Sequence, residues 1–224
     1  MMKDAPFTRL GLLLFICLWL SAALGLLLVP AGATVPIHWD FRGEPDLFAP
    51  GWLSVLLLPL VAAFVALVVL AVLRLMPEER TKPGRHLLDA AVSGAFCLLL
   101  VIQCALIAIG MGINVDMPKI TAPAVGGLLL VIGNSLPKSQ PNHIGGLRLP
   151  WTLRDPRNWQ ITHRWTGRLM VFCGALLLLF GLLLPTPSAA ITATLLGVLA
   201  PILAGIAISI LIAVRSRTTG QPGV

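Results

Sequence analysis

The stretch that decides how this chain folds is GNSLPKSQPNHIGGLRLPWTLRDPRNWQITHRWTGR, residues 133–168. It carries six of the sixteen Lys and Arg residues and two of the four His residues, whereas the sequence on either side is almost entirely apolar. Basic residues between long apolar segments are typical of a loop that connects two membrane-spanning helices. We therefore expect recognition or chemistry here rather than within the apolar segments.

The overall composition places the chain outside the range of soluble domains. Of its 224 residues, 57% are hydrophobic and 11% are charged, whereas soluble domains contain about 25% charged residues. This balance indicates an integral membrane protein. The net charge of +7 does not point to nucleic acid, because most Lys and Arg residues flank apolar runs, where they act as orientation signals. The four Cys lie within apolar runs and imply no disulfide framework.

Six segments are apolar and long enough to cross a bilayer as helices, which takes about 20 residues each. They cover residues 8–29, 51–75, 87–112, 120–136, 166–184 and 189–214, and the fourth is shorter and rich in Gly. The sequence therefore predicts an all-α fold, a polytopic bundle of six transmembrane helices. We divide it into a two-helix N-terminal region, 1–86, with an outer loop at 30–50, and a four-helix region, 87–224, with the motif at 133–168.

Six spans place both termini on one side of the membrane, and the basic residues identify that side. Fourteen of the sixteen Lys and Arg residues lie on the side of the termini and the motif, and only Arg42 and Lys119 lie on the other. Under the positive-inside rule, the termini and the motif are cytoplasmic. Lys3 and Arg9 before an apolar run resemble a signal peptide, but the run continues to Val29, beyond the usual ~7–15 residues, so we expect an uncleaved helix.

The outer loop contains a group of His and acidic side chains. The group consists of His38, Asp40, Glu44 and Asp46, arranged around Gly43. One interpretation is a cation site, since His and carboxylates are suitable ligands. The other is a solvated turn with Trp residues anchored at the interface. The solvated turn is favoured because no second group of ligands accompanies the first, and we predict no metal and no cofactor.

Polar side chains are scarce within the spans, and in the third span Gln103 is the one strongly polar side chain. A single Gln in a membrane helix usually forms a hydrogen bond with a neighbouring helix. No Lys or Arg falls at mid-membrane, and Asp89 lies within one turn of a helix start. Because ion and proton routes need ionisable groups within the spans, a transporter is disfavoured.

The 133–168 motif divides into a broken loop and a helix. The loop's Pro137, Pro141 and Pro150 and the Gly145-Gly146 pair exclude a continuous helix between 138 and 150. Lipid cannot satisfy the polar groups of an irregular backbone, so we predict that the loop folds as a cap over the cytoplasmic end of the bundle. Asp155 as N-cap and Pro156 at the first helical position predict that a helix begins there and continues into the fifth span.

The predicted helix from Pro156 has distinct faces at about 100° per residue. One face carries Trp159, His163, Thr166 and Gly167, and a neighbouring stripe carries Gln160, Arg164 and Arg168. Gly167, Gly174 and Gly181 recur every seven residues. This spacing predicts a seam of small residues that allows another helix to approach closely.

Three roles for His163 remain open from the residues alone. It is a structural residue that holds the loop, a contact for an anionic ligand or lipid phosphate together with Arg148, Arg164 and Arg168, or a catalytic or zinc-binding residue. The first is favoured, because one nearby carboxylate, Asp155, and no Cys in the loop provide no nucleophile and base. Zinc bound by His143, His163 and Asp155 matches no known spacing. A membrane enzyme or lipid-phosphate binder using His163, Arg148 and Arg164 is the alternative function.

Many residues of the motif fit one family signature. They are Gly133-Asn134, Leu136-Pro137-Lys138, Pro141-Asn142, Gly145 or Gly146 before Arg148, Pro150-Trp151-Thr152-Leu153, Trp159 and Thr162-His163-Arg164. This pattern resembles the SdpI family, immunity proteins for the sporulation-delaying toxin, with departures at His143 and Leu149. In the outer loop, Pro36-Ile37-His38 and Gly43-Glu44-Pro45-Asp46 resemble the small domain of unknown function that often precedes it.

The resemblance implies a non-enzymatic, multi-pass protein of the bacterial cell membrane that protects against a membrane-active peptide toxin. Membrane lipid, the toxin on the outer side and a cytosolic repressor are the implied partners, with no direct contact to nucleic acid. The implied motif residues are Asn134, Pro137, Asn142, Arg148, Pro150, Trp151, Thr152, Trp159, His163 and Arg164. An external toxin would meet the outer-loop residues first, which are His38, Asp40, Gly43, Glu44 and Asp46.

Overall fold

Six long helices account for most of the computed structural model, which describes residues 6–218. The helices are α1 (Arg9–Leu28), α2 (Gly51–Leu75), α3 (Arg85–Gly110), α4 (Met117–Ser135), α5 (Pro156–Phe180) and α6 (Pro187–Thr218). Each is long and apolar enough to cross a membrane. The predicted all-α, multi-pass fold is confirmed, and the helices follow the predicted apolar segments closely. Lys3, one of the residues used for the orientation, lies outside the described residues.

The helices pack as two groups joined by α3 and α4. Helix α1 packs against α2 and α3, while α5 packs against α4 and α6. Buried apolar clusters fill both groups, around Phe96 in the first and around Leu129 and Leu177 in the second. Helix α3 touches α1, α2 and α4, so it connects the N-terminal region to the C-terminal one.

The outer loop forms a β-hairpin rather than an irregular turn. Strand β1 (Thr34–Trp39) pairs antiparallel with β2 (Pro45–Pro50). The Glu44 N–H and the Arg42 N–H both donate to the Asp40 carboxylate, and the Asp40 N–H donates to the Glu44 carbonyl. These bonds close the turn, and Gly43 within it has φ +84°, a conformation that favours glycine. Val35 is fully buried and anchors the hairpin to the helices.

Gln103 compensates for a proline in the neighbouring helix. Pro59 lies inside α2 and has no N–H, so the carbonyl of Val55, one turn earlier, loses its helical donor. The Gln103 side-chain amide on α3 donates to that carbonyl at 2.7 Å, and the Gln103 side chain is fully buried. The predicted bond to a neighbouring helix is therefore present, and it satisfies a backbone group that lipid cannot.

A seam of glycines on both partners brings α4 and α5 close together. A Cβ added to Gly167 would lie 2.5 Å from the Gly133 carbonyl oxygen, and one added to Gly174 would lie 2.7 Å from that of Gly126. Added Cβ atoms at Gly126 and Gly133 would meet α5 backbone atoms at 2.7 Å in return. The predicted seam on α5 is present, and α4 contributes a matching pair of glycines that the sequence analysis missed.

Because Gln103 compensates for Pro59, the stability lost on substituting Gln103 should depend on whether residue 59 is a proline. Gln103→Leu should lower the free energy of unfolding by about 1–2 kcal/mol, because the Val55 carbonyl is left without a donor. In a Pro59→Ala background the loss should be smaller, since the new N–H at residue 59 can donate to that carbonyl. Unfolding in mixed micelles measures both values, with Cys104→Leu, at an exposed neighbouring position, as the matched control. Equal losses in the two backgrounds would refute the compensation.

Candidate functional site

The candidate site is the polar cap, residues 136–155, together with the first turns of α5. A short 3-10 helix, Leu136–Lys138, ends α4, and residues 139–149 form an irregular loop. A second short helix, Pro150–Arg154, follows and was not predicted. The Asp155 side chain then accepts a hydrogen bond from the Arg157 N–H at the start of α5, which confirms the predicted helix start. The cap lies on the side assigned to the cytoplasm.

His163 lies at the centre of the site and is fully buried. Its Nδ1 donates to the Trp159 carbonyl at 2.8 Å, because a carbonyl oxygen can only accept. Its Nε2 accepts from the Leu147 N–H at 3.0 Å and therefore carries no proton. This pair of bonds defines a neutral ring and one tautomer. Neither nitrogen remains free to act as a base or to bind a metal.

Trp159 and Gly146 complete the fit around His163. The Trp159 ring stacks on the imidazole with centroids 3.9 Å apart, and its Nε1 donates to the Ser139 carbonyl at 3.0 Å. Gly146 has φ +100° and lies directly against His163 Nε2, so a Cβ at this position would collide with the ring. The two aromatic rings thus hold both ends of the irregular loop onto α5.

Asn142 organises the middle of the loop. Its Oδ1 accepts from the Ile144 N–H at 2.9 Å and from the Gly145 N–H at 2.8 Å, while its amide donates to the Gln140 carbonyl. The side chain is buried against Gly84, at the start of α3, where a Cβ would collide with it. The loop is therefore packed against the connection between α2 and α3 as well as against α5.

The short helix attaches the cap to α6. The Thr152 hydroxyl accepts from the Leu149 N–H at 3.0 Å and lies 2.7 Å from the Leu147 carbonyl, to which it donates. The Trp151 Nε1 donates to the Ser209 hydroxyl of α6 at 3.1 Å. Pro150 occupies the first position of this helix, where its missing N–H costs nothing.

Three further polar residues hold the site together, of which Thr162 belongs to the family signature and the other two, Asn158 and Ser209, were missed from the sequence. The Asn158 amide donates to the Ser209 carbonyl at 2.9 Å, and the Thr162 hydroxyl donates to the Asn158 Oδ1 at 2.9 Å. All three side chains are fully buried. The i,i+4 spacing of Asn158 and Thr162, and a Ser in an otherwise apolar segment of α6, are the signals that could have identified them.

The basic residues of the motif are separated from this buried network. All six are exposed, namely Lys138, Arg148, Arg154, Arg157, Arg164 and Arg168. Arg148 donates to the His143 carbonyl, and the Arg168 guanidinium lies 5.2 Å from the centre of the Trp165 ring. Arg164 lies on the exposed stripe of α5, away from His163. The predicted constellation of Arg148, Trp151, Trp159, His163 and Arg164 is thus divided into a buried structural part and exposed cations.

Two remaining motif residues have different surroundings. The Asn134 side chain is exposed on α4 and makes no hydrogen bond to the cap within the described residues. Pro137 packs against α5, where its Cδ would lie 2.9 Å from a Cβ added to Gly167. Pro137 therefore belongs to the helix seam rather than to a binding surface.

The hairpin does not gather its acidic residues around one centre. The His38 Nδ1 donates to the Asp46 carboxylate across the two strands at 2.6 Å. Asp40 instead accepts from the backbone of its own turn, and the bond from the Glu44 N–H, helped by that from Arg42, holds the pKa of the Asp40 carboxyl below its usual value. Among residues 6–218, no group of three or more His, Cys, Asp or Glu side chains could hold a metal ion.

Comparisons with known proteins match both regions of the chain. Residues 138–214 match the SdpI/YfhL protein family, and residues 12–63 match a domain of unknown function, DUF1648. Over 140 residues the chain is 29% identical to the immunity protein SdpI of Bacillus subtilis (strain 168). The aligned residues make up 62% of this chain and 65% of that protein. The resemblance to the SdpI family expected from the two motifs is confirmed. No solved structure matches the chain.

The bonds of His163 predict that it contributes to stability rather than to reactivity. His163→Ala should lower the free energy of unfolding by about 2–4 kcal/mol, because it leaves a cavity and an unpaired Leu147 N–H. The adjacent exposed residue is the matched control, and Arg164→Ala should change the value by less than about 0.5 kcal/mol. Thermal or denaturant unfolding of the purified protein gives both numbers. Equal stability of the two variants would contradict the structural role.

Proposed function

We propose that this chain, whose residues 138–214 match the SdpI/YfhL family, is a non-enzymatic immunity protein of the bacterial cell membrane. It protects its cell against a membrane-active peptide toxin. The match to a protein named as an immunity protein supports this function, and the six membrane-spanning helices support the location.

The observation that carries the proposal is that three buried polar side chains at the loop, His163, Thr152 and Asn142, form their hydrogen bonds within the protein itself. Both ring nitrogens of His163 form hydrogen bonds with the backbone, and the Thr152 and Asn142 side chains form hydrogen bonds with the loop that contains them. A catalytic site needs a nucleophile or a base with a free atom next to a space for the substrate. The buried polar side chains of the cap instead hold the protein's own loop in place. We therefore infer that the protein acts by binding rather than by catalysis, and binding of a toxin would give immunity.

The outer hairpin is where an external peptide first meets this protein. It follows α1 and precedes α2 directly, so it lies at the outer membrane–water boundary. Phe41 and Phe48 on the hairpin expose more than half of their surface. Exposed aromatic rings at this level contact the headgroup region, in which membrane-active peptides also lie.

The six exposed basic residues of the motif support a second, cytoplasmic contact. Exposed Arg side chains beside a membrane attract anionic lipid headgroups and acidic protein surfaces. Binding of a cytosolic repressor is part of the proposal, and it would use this surface rather than the buried His163. An anionic-ligand function that depends on His163 is disfavoured, since the ring has no free nitrogen.

Survival of toxin-sensitive cells tests the proposal. Expression of the full chain in a bacterial strain that lacks its own immunity protein should raise survival in the sporulation-delaying toxin by at least about tenfold. An unrelated six-span membrane protein at equal abundance is the control and should give no protection. A fluorescent fusion of the repressor in the same cells reports the cytoplasmic contact as its membrane-bound fraction. Unchanged killing by this toxin and by related peptides, at confirmed membrane abundance, would refute immunity.

A further inference from the structure

A pocket of about 380 Å³ opens on the outer face between the hairpin and the turn that joins α3 to α4. Its hairpin wall includes Trp39 and Pro45, and its opposite wall includes Ile113, Asn114 and Pro118. Trp39 contributes an aromatic ring to the lining, and Pro45 and Pro118 contribute rigid apolar rings. Asn114 is an exposed residue of the lining. The pocket lies at the membrane boundary, since its lining also includes the last turn of α3.

The shape of this pocket is built into the fold. Gly43 at the tip of the hairpin lies against Pro187, at the start of α6, so closely that a Cβ would collide. At the base of the hairpin, the Gly51 N–H donates to the Ala33 carbonyl at 2.8 Å. Val35 is fully buried against the end of α3. The hairpin is therefore held at both ends, and a ligand would not have to order it first.

The outer face carries an excess of negative charge, in contrast to the basic cytoplasmic side. The acidic residues on this face are Asp40, Glu44, Asp46 and Asp116, and the basic ones are Arg42 and Lys119. Asp46 is paired with His38 and Asp116 with Lys119. The Glu44 carboxylate makes no hydrogen bond or ion pair within residues 6–218, and its neighbours in the chain, Gly43 and Pro45, line the pocket. Glu44 is thus an exposed anion that lies in the chain between two lining residues of the pocket.

We propose that this outer pocket is the docking site for the toxin and that the docked segment is cationic and amphipathic. The inference rests on the proposed function and names the partner chemistry for it. Membrane-active peptides carry Lys or Arg on one face and Leu, Phe or Trp on the other, and they lie in the plane of the interface. Such a segment inserts one apolar side chain between Trp39 and Pro118 and places a cation against Glu44. The negative outer face attracts it before contact.

Two substitutions test the pocket without removing contacts that hold the fold. Asn114→Trp fills the pocket from an exposed position, and Glu44→Lys reverses the available charge. Their matched controls are Thr34→Trp, exposed on β1 and outside the pocket lining, and Glu79→Lys, exposed on the cytoplasmic side. The full chain is placed in phosphatidylcholine nanodiscs and titrated with a synthetic amphipathic helix of Leu and Lys. A Leu and Glu helix of equal length and empty nanodiscs complete the controls.

The wild type should bind the Leu/Lys peptide at least about tenfold more tightly than the Leu/Glu peptide. Asn114→Trp should weaken that binding at least about tenfold and Glu44→Lys by about threefold to tenfold, while both controls stay within about twofold of the wild type. Equal affinity of the wild type for the two peptides, or unchanged binding by Asn114→Trp, overturns the docking site.

The same variants in the survival assay separate the two proposals. If Asn114→Trp protects cells as well as the wild type does, immunity stands and the docking site is overturned. A wild type that binds the Leu/Lys peptide as expected in nanodiscs, yet gives no protection against the toxin or related peptides, supports the docking site and refutes immunity.

Discussion

The hydrogen bond from the Leu147 N–H to His163 is the contact on which the cytoplasmic end of the molecule depends. An irregular loop beside a membrane must find partners for its backbone, because lipid offers none. Residues 139–149 find theirs in a few buried side chains, namely His163, Trp159, Thr152 and Asn142. The same constraint acts inside the membrane, where Gln103 supplies the donor that Pro59 removes from the Val55 carbonyl.

This constraint also separates the polar side chains of the motif into a buried and an exposed group. The polar side chains of the cap that are buried are committed to the loop, and the basic ones are exposed and remain available for lipid or a cytosolic partner. On the other side of the membrane, a preformed hairpin exposes aromatic side chains and Glu44, whose carboxylate has no partner within residues 6–218. The motif at 133–168 is therefore explained largely by the hydrogen bonds and packing that hold the cap together, and the proposed recognition of a toxin lies at the opposite end of the bundle.

The features that depend on local spacing could be predicted from the sequence. The six spans follow from apolar length, the start of α5 from Asp155 and Pro156, and one half of the glycine seam from the spacing of Gly167 and Gly174. Features that depend on contacts between residues far apart in the sequence could not be predicted. The Ser209 partner of Asn158 lies 51 residues away, and the donor to His163 is a backbone N–H, which every non-proline residue carries. The hairpin was hidden because its strands contain Pro36, Pro45 and Pro50, which usually argue against strands.

The most direct test of the structural role of the cap is amide hydrogen exchange in the wild-type protein. The full chain in nanodiscs would be followed at the amides of Ile144, Gly145 and Leu147, which the structure pairs with Asn142 and His163. These amides should exchange at least about 100-fold more slowly than in an unstructured peptide of the same sequence. Exchange at the unstructured rate, while the amides of α4 and α5 remain protected, would contradict the claim that buried side chains hold this loop.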